Sequence, residues 1–381
     1  MWIRTFCLLL GMVAPLCPTW ADAPPPPRRD GDDPIMRMLE LQRELANDPA
    51  NALARGQLRA LLDELGVNKA AYDIPTGARL ADRGWWHTAW PGFGRKAWIS
   101  VYAGRDSNIN SGTELSEIQV PLINSRKLTV NELLQERPSN FVLLQGGGWA
   151  ELLLTPPWSV AVDGRAAWRY NTSVYEYFPH GYDGNLTATY QGDWARFRLG
   201  AGGEQRWLIN RQLVSASTLK AEAGMPIQGD YALSIDARRS SLRYPQFQGI
   251  KTLDRALGAE IADQSSGSRV YVDVGDESSP SGPSDMDRRY ASASLRLNVS
   301  VSEKGLAMAE CRVTESRYKK PSPLFLTRRE DRTTACLVGY EHSIGQNWFW
   351  GPSLVLERNV SSLALTDYFR RQVMLGARKE F

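Results

Sequence analysis

Histidine and cysteine are scarce in this 381-residue chain. The three histidines, His87, His180 and His342, lie far apart in sequence, and no pair has the spacing of metal ligands. His180 and Asp183 are expected to share a surface loop, where a solvated pair is the simpler reading than a hydrolytic one. No internal apolar run approaches the ~20 residues that a spanning helix requires. With a mean hydropathy of -0.37, this excludes a helical membrane protein. A net charge of +3 is too small to argue for nucleic acid as a partner. Gly146-Gly147-Gly148 has no Lys-Ser/Thr and no helix after it, so it is not a phosphate loop. Glycine in a strand more often marks a bend or a close backbone approach. No spacing in the chain implies a nucleotide, metal or redox cofactor, and an enzyme is the least supported class.

Aromatic residues, by contrast, are abundant, with 13 Trp, 14 Tyr and 10 Phe. They are many for a soluble protein and suit girdles at two membrane interfaces. The last residue, Phe381, closes a stretch of period two. Phe369, Arg371, Val373, Leu375, Ala377, Lys379 and Phe381 share one face, with Arg371 as its blemish, and Arg370, Gln372, Met374, Arg378 and Glu380 share the other. The dyad recurs upstream. Trp158, Val160, Val162, Gly164, Ala166, Trp168 and Tyr170 oppose Ser159, Asp163, Arg165, Arg169 and Asn171. Ala291, Ala293, Leu295, Leu297, Val299 and Val301 oppose Tyr290, Ser292, Ser294, Arg296, Asn298 and Ser300.

The N-terminal part reads differently. Residues 1–21 resemble a cleaved export signal, with Arg4, an apolar stretch from Phe6 to Val13, and Thr19-Trp20-Ala21 before Asp22. Cys17 invites a lipoprotein reading, but Leu16 stands where a small residue should precede an acylated cysteine. Residues 22–33 are a Pro-rich linker. Over 34–70 the apolar residues recur at helical spacing, predicting a helical hairpin in the periplasm, and 71–95 form a connecting segment.

Period-two segments over 96–381 predict an all-β fold: a transmembrane antiparallel up-and-down β-barrel of about fourteen strands, with the short α-helical hairpin before it. Connections alternate between tight ones, such as Thr155-Pro156, Asp193 and Gly345-Gln346, and long polar ones, such as 107–140, 172–183, 317–330 and 359–366. This alternation is the mark of a barrel with one rim of turns and one rim of loops. Ile209-Asn210 is the exception, a short connection on the long-loop side. A slip of one residue would place arginines in hydrocarbon at about 2–4 kcal/mol each near the midplane, so register is well specified.

On this register Arg165, Arg169, Arg196, Arg198, Arg206, Arg238, Arg296, Arg370 and Arg378 point inward, against acids such as Asp163, Glu204, Asp236 and Glu380. Such a lumen reads as predominantly basic, suited to polar or anionic passengers. Equally, these residues can hold one another across a filled barrel. Cys311 and Cys336 fall in neighbouring strands of an oxidising compartment. They form either a cross-strand disulfide or two unpaired thiols on the lipid face, since adjacent strands suit a disulfide poorly.

The helical stretch from Asn47 to Gly66 resembles part of a tetratricopeptide repeat, and the terminal Phe381 resembles the assembly signal read by the barrel-assembly machinery. The first strand ends in Tyr102-Ala103-Gly104-Arg105-Asp106-Ser107-Asn108-Ile109-Asn110. Gly104, Asp106, Ser107, Asn108 and Asn110 resemble a stretch of the surface lipoprotein assembly modulator (Slam) family, in which a periplasmic tetratricopeptide region precedes a fourteen-stranded barrel. The repeat region here is much shorter. The resemblance implies bacterial outer-membrane localisation and transport of a surface lipoprotein or secreted protein as passenger, with lipid and the assembly machinery as partners. The alternatives are a passive channel, a surface-binding barrel, or a polysaccharide exporter. The last fits poorly, because the inward set is mainly Arg, Ser, Thr and Asn rather than aromatic platforms.

Overall fold

A computed structural model of the chain describes residues 37, 57, 95–120, 126–130, 135–153, 157–173, 179–208, 211–245, 250–280, 287–322 and 325–381. The expected export signal, linker, helical hairpin and connecting segment, and His87, lie outside the described residues apart from Arg37, Gln57 and Arg95.

Sixteen strands are described: β1 (Arg95–Asp106), β2 (Glu117–Val120), β3 (Arg126–Thr129), β4 (Ser139–Leu153), β5 (Trp158–Asn171), β6 (Pro179–Gln191), β7 (Arg196–Leu208), β8 (Arg211–Pro226), β9 (Tyr231–Tyr244), β10 (Ile250–Asp263), β11 (Arg269–Ser278), β12 (Arg288–Ser302), β13 (Gly305–Pro321), β14 (Arg328–Gly345), β15 (Trp348–Ser361) and β16 (Tyr368–Glu380). All but β2 and β3 form one closed antiparallel barrel of fourteen strands, each paired with its neighbours in sequence, with β1 meeting β16. The pair β2–β3 is a separate small sheet inside the connection from β1 to β4.

Closure satisfies every strand edge, which a sheet in hydrocarbon requires. The seam is fully laddered, from Trp98 opposite Glu380 to Asp106 opposite Gln372. Beyond it, the Phe381 amide donates to the Ala97 carbonyl at 2.8 Å. The alternation read from sequence is the alternation of the wall. Leu199, Leu257 and Val373 leave 64%, 61% and 59% of their surface uncovered on the outside, an exposure tolerable only against lipid. Trp158 packs edge-on against Tyr190, and Trp194 against Phe197, at the rim of tight turns. At the opposite rim Tyr182 and the His180 ring contact Trp207.

Several strands run further toward the loops than polarity suggests. β6 begins at Pro179, β13 reaches Pro321, β14 begins at Arg328 and β15 reaches Ser361. A polar residue does not end a strand whose backbone still has a partner. His180 and Asp183 therefore do not share a loop: they sit on β6 on opposite faces, His180 stacked on Trp207 outside and Asp183 bonded to Arg165 within. Arg371 is no blemish in hydrocarbon either. It lies at the loop end of β16, with its guanidinium 5.6 Å from the Phe369 ring centroid.

Inside, the arc of β13 to β16, β1 and β4 is packed. Phe141, Met308, Leu337, Val355 and Met374 form a buried cluster with Tyr102 and Leu143 against it. Gly104 makes room for it, because a Cβ there would stand 3.0 Å from Phe141 Cζ and 3.1 Å from Met374 Cα. Gly147 on β4 is a close approach of the kind its triplet suggests, with the Arg165 stem lying over it.

Candidate functional site at the outer mouth and inner wall

The stretch singled out by sequence, Gly104 to Asn110, sits where β1 leaves the barrel wall. Asp106 has none of its surface exposed. Arg370 on β16 grips its carboxylate, Nε lying 3.0 Å from both oxygens and Nη2 2.5 Å from Oδ2. Arg169, two strands away on β5, donates from Nη2 to Oδ2 at 2.6 Å while its guanidinium lies 3.9 Å over the Phe141 ring. Arg169 Nε donates to Asn171 Oδ1 at 3.0 Å. One carboxylate thus binds two guanidiniums from opposite sides of β1, which is the way a charge becomes tolerable in a buried place.

The other residues of the stretch hold backbone. The Ser107 amide donates to the Arg371 carbonyl, and the Arg371 amide to Ser107 Oγ, both at 2.9 Å. The Asn108 amide donates to Asp106 Oδ1 at 3.0 Å; its side-chain amide donates to the carbonyls of Gly112 and Phe369 at 2.8 and 3.1 Å. Asn110 Nδ2 donates to the Gln135 carbonyl at 2.6 Å, and the Arg137 amide to Asn110 Oδ1 at 3.1 Å. Ile109, Asn110, Ser111 and Thr113 are all buried. These bonds draw the two ends of the β1–β4 connection together and fasten them to β16. Gly104, Asp106, Ser107, Asn108 and Asn110 therefore each carry a bond or a space at the end of β1.

Along the inner wall, the nine arginines read as inward all face inward, and each is ion-paired: Arg165 with Asp183, Arg169 and Arg370 with Asp106, Arg196 and Arg198 with Glu222, Arg206 with Glu204, Arg238 with Asp254 and Asp273, Arg296 with Glu310, and Arg378 with Glu341 and Glu380. The lumen is thus not predominantly basic, as the arginines alone suggest. Acids alternate onto the same face and neutralise them.

Most pairs join neighbouring strands, and some form ribs that skip a strand. Arg312 on β13 reaches Asp273 on β11 at 3.3 Å, and both bond Ser292 on β12, at 2.9 and 2.6 Å. Tyr290 Oη accepts from Arg238 Nη2 at 3.0 Å and donates to Asp254 Oδ1 at 2.9 Å. Sequence reasoning misses these partners because pairing across two strands depends on stagger, although period two already places each acid inward.

The pairs differ in wetness. Arg370, Asp106 and Arg296 keep 3%, 0% and 6% of their side-chain surface, whereas Arg165, Arg198 and Lys220 keep 30%, 37% and 44%. The most accessible of these charges, Arg198 and Lys220, lie on β7 and β8; Lys96 on β1 and Arg288 on β12 keep 30% and 28%. Cys311 and Cys336, directly opposed on β13 and β14, are joined in a disulfide on the outward face, level in the ladder with Leu295 and Leu356. Among the described residues, no group of His, Cys, Asp and Glu is arranged to hold a metal ion.

No family model matches the chain, and no curated protein matches it. Among solved structures the chain is similar to OccAB3 of Acinetobacter baumannii, at 9% identity and a TM-score of 0.41 over 75% of this chain and 99% of that one. It is also similar to OmpT, an outer membrane protein of Vibrio cholerae, at 8% identity and 0.43 over 76% and 97%. A third likeness is to the outer membrane protein OprD from Pseudomonas aeruginosa, at 7% identity and 0.39 over 76% and 95%.

Proposed function

We propose that this protein is a bacterial outer-membrane channel that passes small polar solutes of little or no net charge along the β5–β8 wall of its lumen. The observation carrying this reading is the asymmetry of the interior. On β5 to β8, Arg165, Asp183, Arg198 and Lys220 keep between 26% and 44% of their side-chain surface, while the β13 to β4 arc is filled by the buried cluster around Phe141, with Lys96 at its turn end keeping 30%. Fourteen strands enclose more space than side chains fill, since about eight already suffice for a filled core. Balanced charge keeps the route wet without selecting strongly for either sign.

Planar-bilayer recording in a salt gradient tests this: discrete conductance with a reversal potential near zero supports it, and a silent barrel or a strongly selective one rejects it. A second reading, Slam-like export of a lipoprotein or secreted protein, is favoured by the position of the family-like stretch. Gly104 to Asn110 bolts β1 to β16, the strands at which such a barrel would have to part or flex. Surface proteomics with and without the chain tests that reading, and unchanged surface lipoproteins and secreted proteins would reject it.

A further inference from the structure

We propose that the outer rim of the barrel over β9, β10, β12 and β13 presents a seat, on its lipid side, for the phosphorylated headgroup of a glycolipid in the surrounding leaflet. The inference rests on the outer-membrane reading above. Three like-charged pairs stand directly opposite one another in the ladder: Arg239 and Arg255, Arg243 and Lys251, and Arg289 and Arg317. All six point outward, away from the lumen, and are exposed. Directly opposed like charges destabilise an antiparallel pair. A polyanion lying over them converts that repulsion into attraction.

Three acids face the group: Glu315 on β13 stands two residues below Arg317 on the outward face, 4.0 Å from Arg332, and two more lie level with the cations. Asp276 on β11 lies between Arg255 and Arg289 in register and is engaged by Arg289 at 3.6 Å and Lys319 at 2.8 Å; Glu330 on β14 stands opposite Arg317. They are outnumbered by the cations, and none stands opposite the Arg239 end of the patch.

The depth fits a headgroup. Two residues further into the wall on β9 to β12 the outward face is apolar, with Ala237, Leu257, Val274 and Ala291 below Arg239, Arg255, Asp276 and Arg289, while on β13 Glu315 stands below Arg317. The guanidiniums thus mark the upper edge of the greasy band, within reach of phosphates by snorkelling. Guanidinium forks bind phosphate oxygens in pairs, which favours arginine at such a position over lysine. The belt is one-sided in two ways. At the opposite rim, the tight turns are bordered by Trp158, Tyr190, Trp348 and Trp350, and on β5 to β7 the outer rim carries Trp168, Tyr170, Tyr182 and Trp207. Among the described residues, outward cations oppose one another in the ladder on this arc alone.

The test uses the full chain incorporated into phosphatidylcholine vesicles doped with either lipid A, a bisphosphorylated diglucosamine lipid, or its dephosphorylated form. Retention of the doped lipid is read by mass spectrometry after mild detergent extraction. Lipid A should be retained and its dephosphorylated form lost. The double variant Arg239→Ser, Arg255→Ser should retain roughly tenfold less lipid A. The Lys379→Ser variant at the opposite rim should retain as much as the parent. Heat-modified electrophoretic mobility of each variant separates lost binding from lost folding, and Arg239→Lys, Arg255→Lys should retain an intermediate amount. Equal retention of both lipids by the parent, or undiminished retention by the folded double serine variant, overturns the proposal. Absence of the chain from outer-membrane fractions would instead overturn the localisation on which it rests.

Discussion

Asp106 and Arg370 stand 264 residues apart in sequence and are joined by three hydrogen-bond contacts of 2.5 to 3.0 Å, tying the first strand of the barrel to the last. Both are buried, and Arg169 completes the group from β5. Removing one partner of such a pair leaves a charge without compensation, at a cost of about 3–5 kcal/mol. Arg370→Ala should therefore lower the unfolding free energy of the detergent-solubilised barrel by that amount. Asp106→Asn should do the same, and the double variant should cost less than the sum of the two. Additive losses in a urea titration would show that the residues act independently.

Loosening the mouth should change conductance without changing the wall. Asn110→Ala removes the bonds to Gln135 and Arg137 that hold the two ends of the β1–β4 connection together. Single-channel conductance should rise and become noisier, while far-ultraviolet circular dichroism stays that of a closed sheet. An unaltered trace would remove this connection from the conduction path.

Lumen charge makes a signed prediction. Lys220 lies 3.3 Å from Glu222 and 3.8 Å from Asp236, and 44% of its side chain is accessible. Lys220→Glu replaces one positive charge with a negative one on the wet wall. The reversal potential in a salt gradient should move toward cation selectivity. The corresponding change at buried Arg296, paired with Glu310 at 6% exposure on each side, should instead impair folding.

The disulfide joins residues 25 apart in sequence and should contribute about 3 kcal/mol through the unfolded chain. The variant Cys311→Ser, Cys336→Ser should refold into detergent with a lower urea midpoint and the same conductance. A midpoint equal to that of the parent would show that the bond adds nothing to stability.

The lipid face can be probed by a single charge. Val272, outward on β11 and flanked in the ladder by Ala259 and Ala293, should cost about 2–4 kcal/mol when changed to Arg. Ser294→Arg, inward on β12, should cost far less. Comparable losses at the two positions would mean that the faces are not as distinct as the alternation requires.

The barrel is legible in the sequence because its evidence is local. Alternation follows from the covalent geometry of an extended chain, so Val270, Val272 and Val274, or Leu295 and Leu297, declare their face without reference to any other strand. Turn and loop lengths then set the antiparallel order. For the same reason all nine inward arginines can be assigned, and so can the position of Cys311 beside Cys336. The family-like stretch from Gly104 is visible as a pattern, but its work is not: nothing in its residues says that Asp106 meets Arg370 or that Asn110 meets Arg137.

What only the tertiary structure decided is pairing at a distance. Closure and stagger bring Arg312 to Asp273 across β12, and Arg169 to Asp106 across β4, and these meetings turn an interior that reads as basic into a neutral one. They also separate the dry arc around Phe141 from the wet wall around Arg198. The residue sequence determines which side of the wall each group occupies, since that is a property of one strand. Which groups touch depends on the shear of the whole cylinder, a property no single strand possesses.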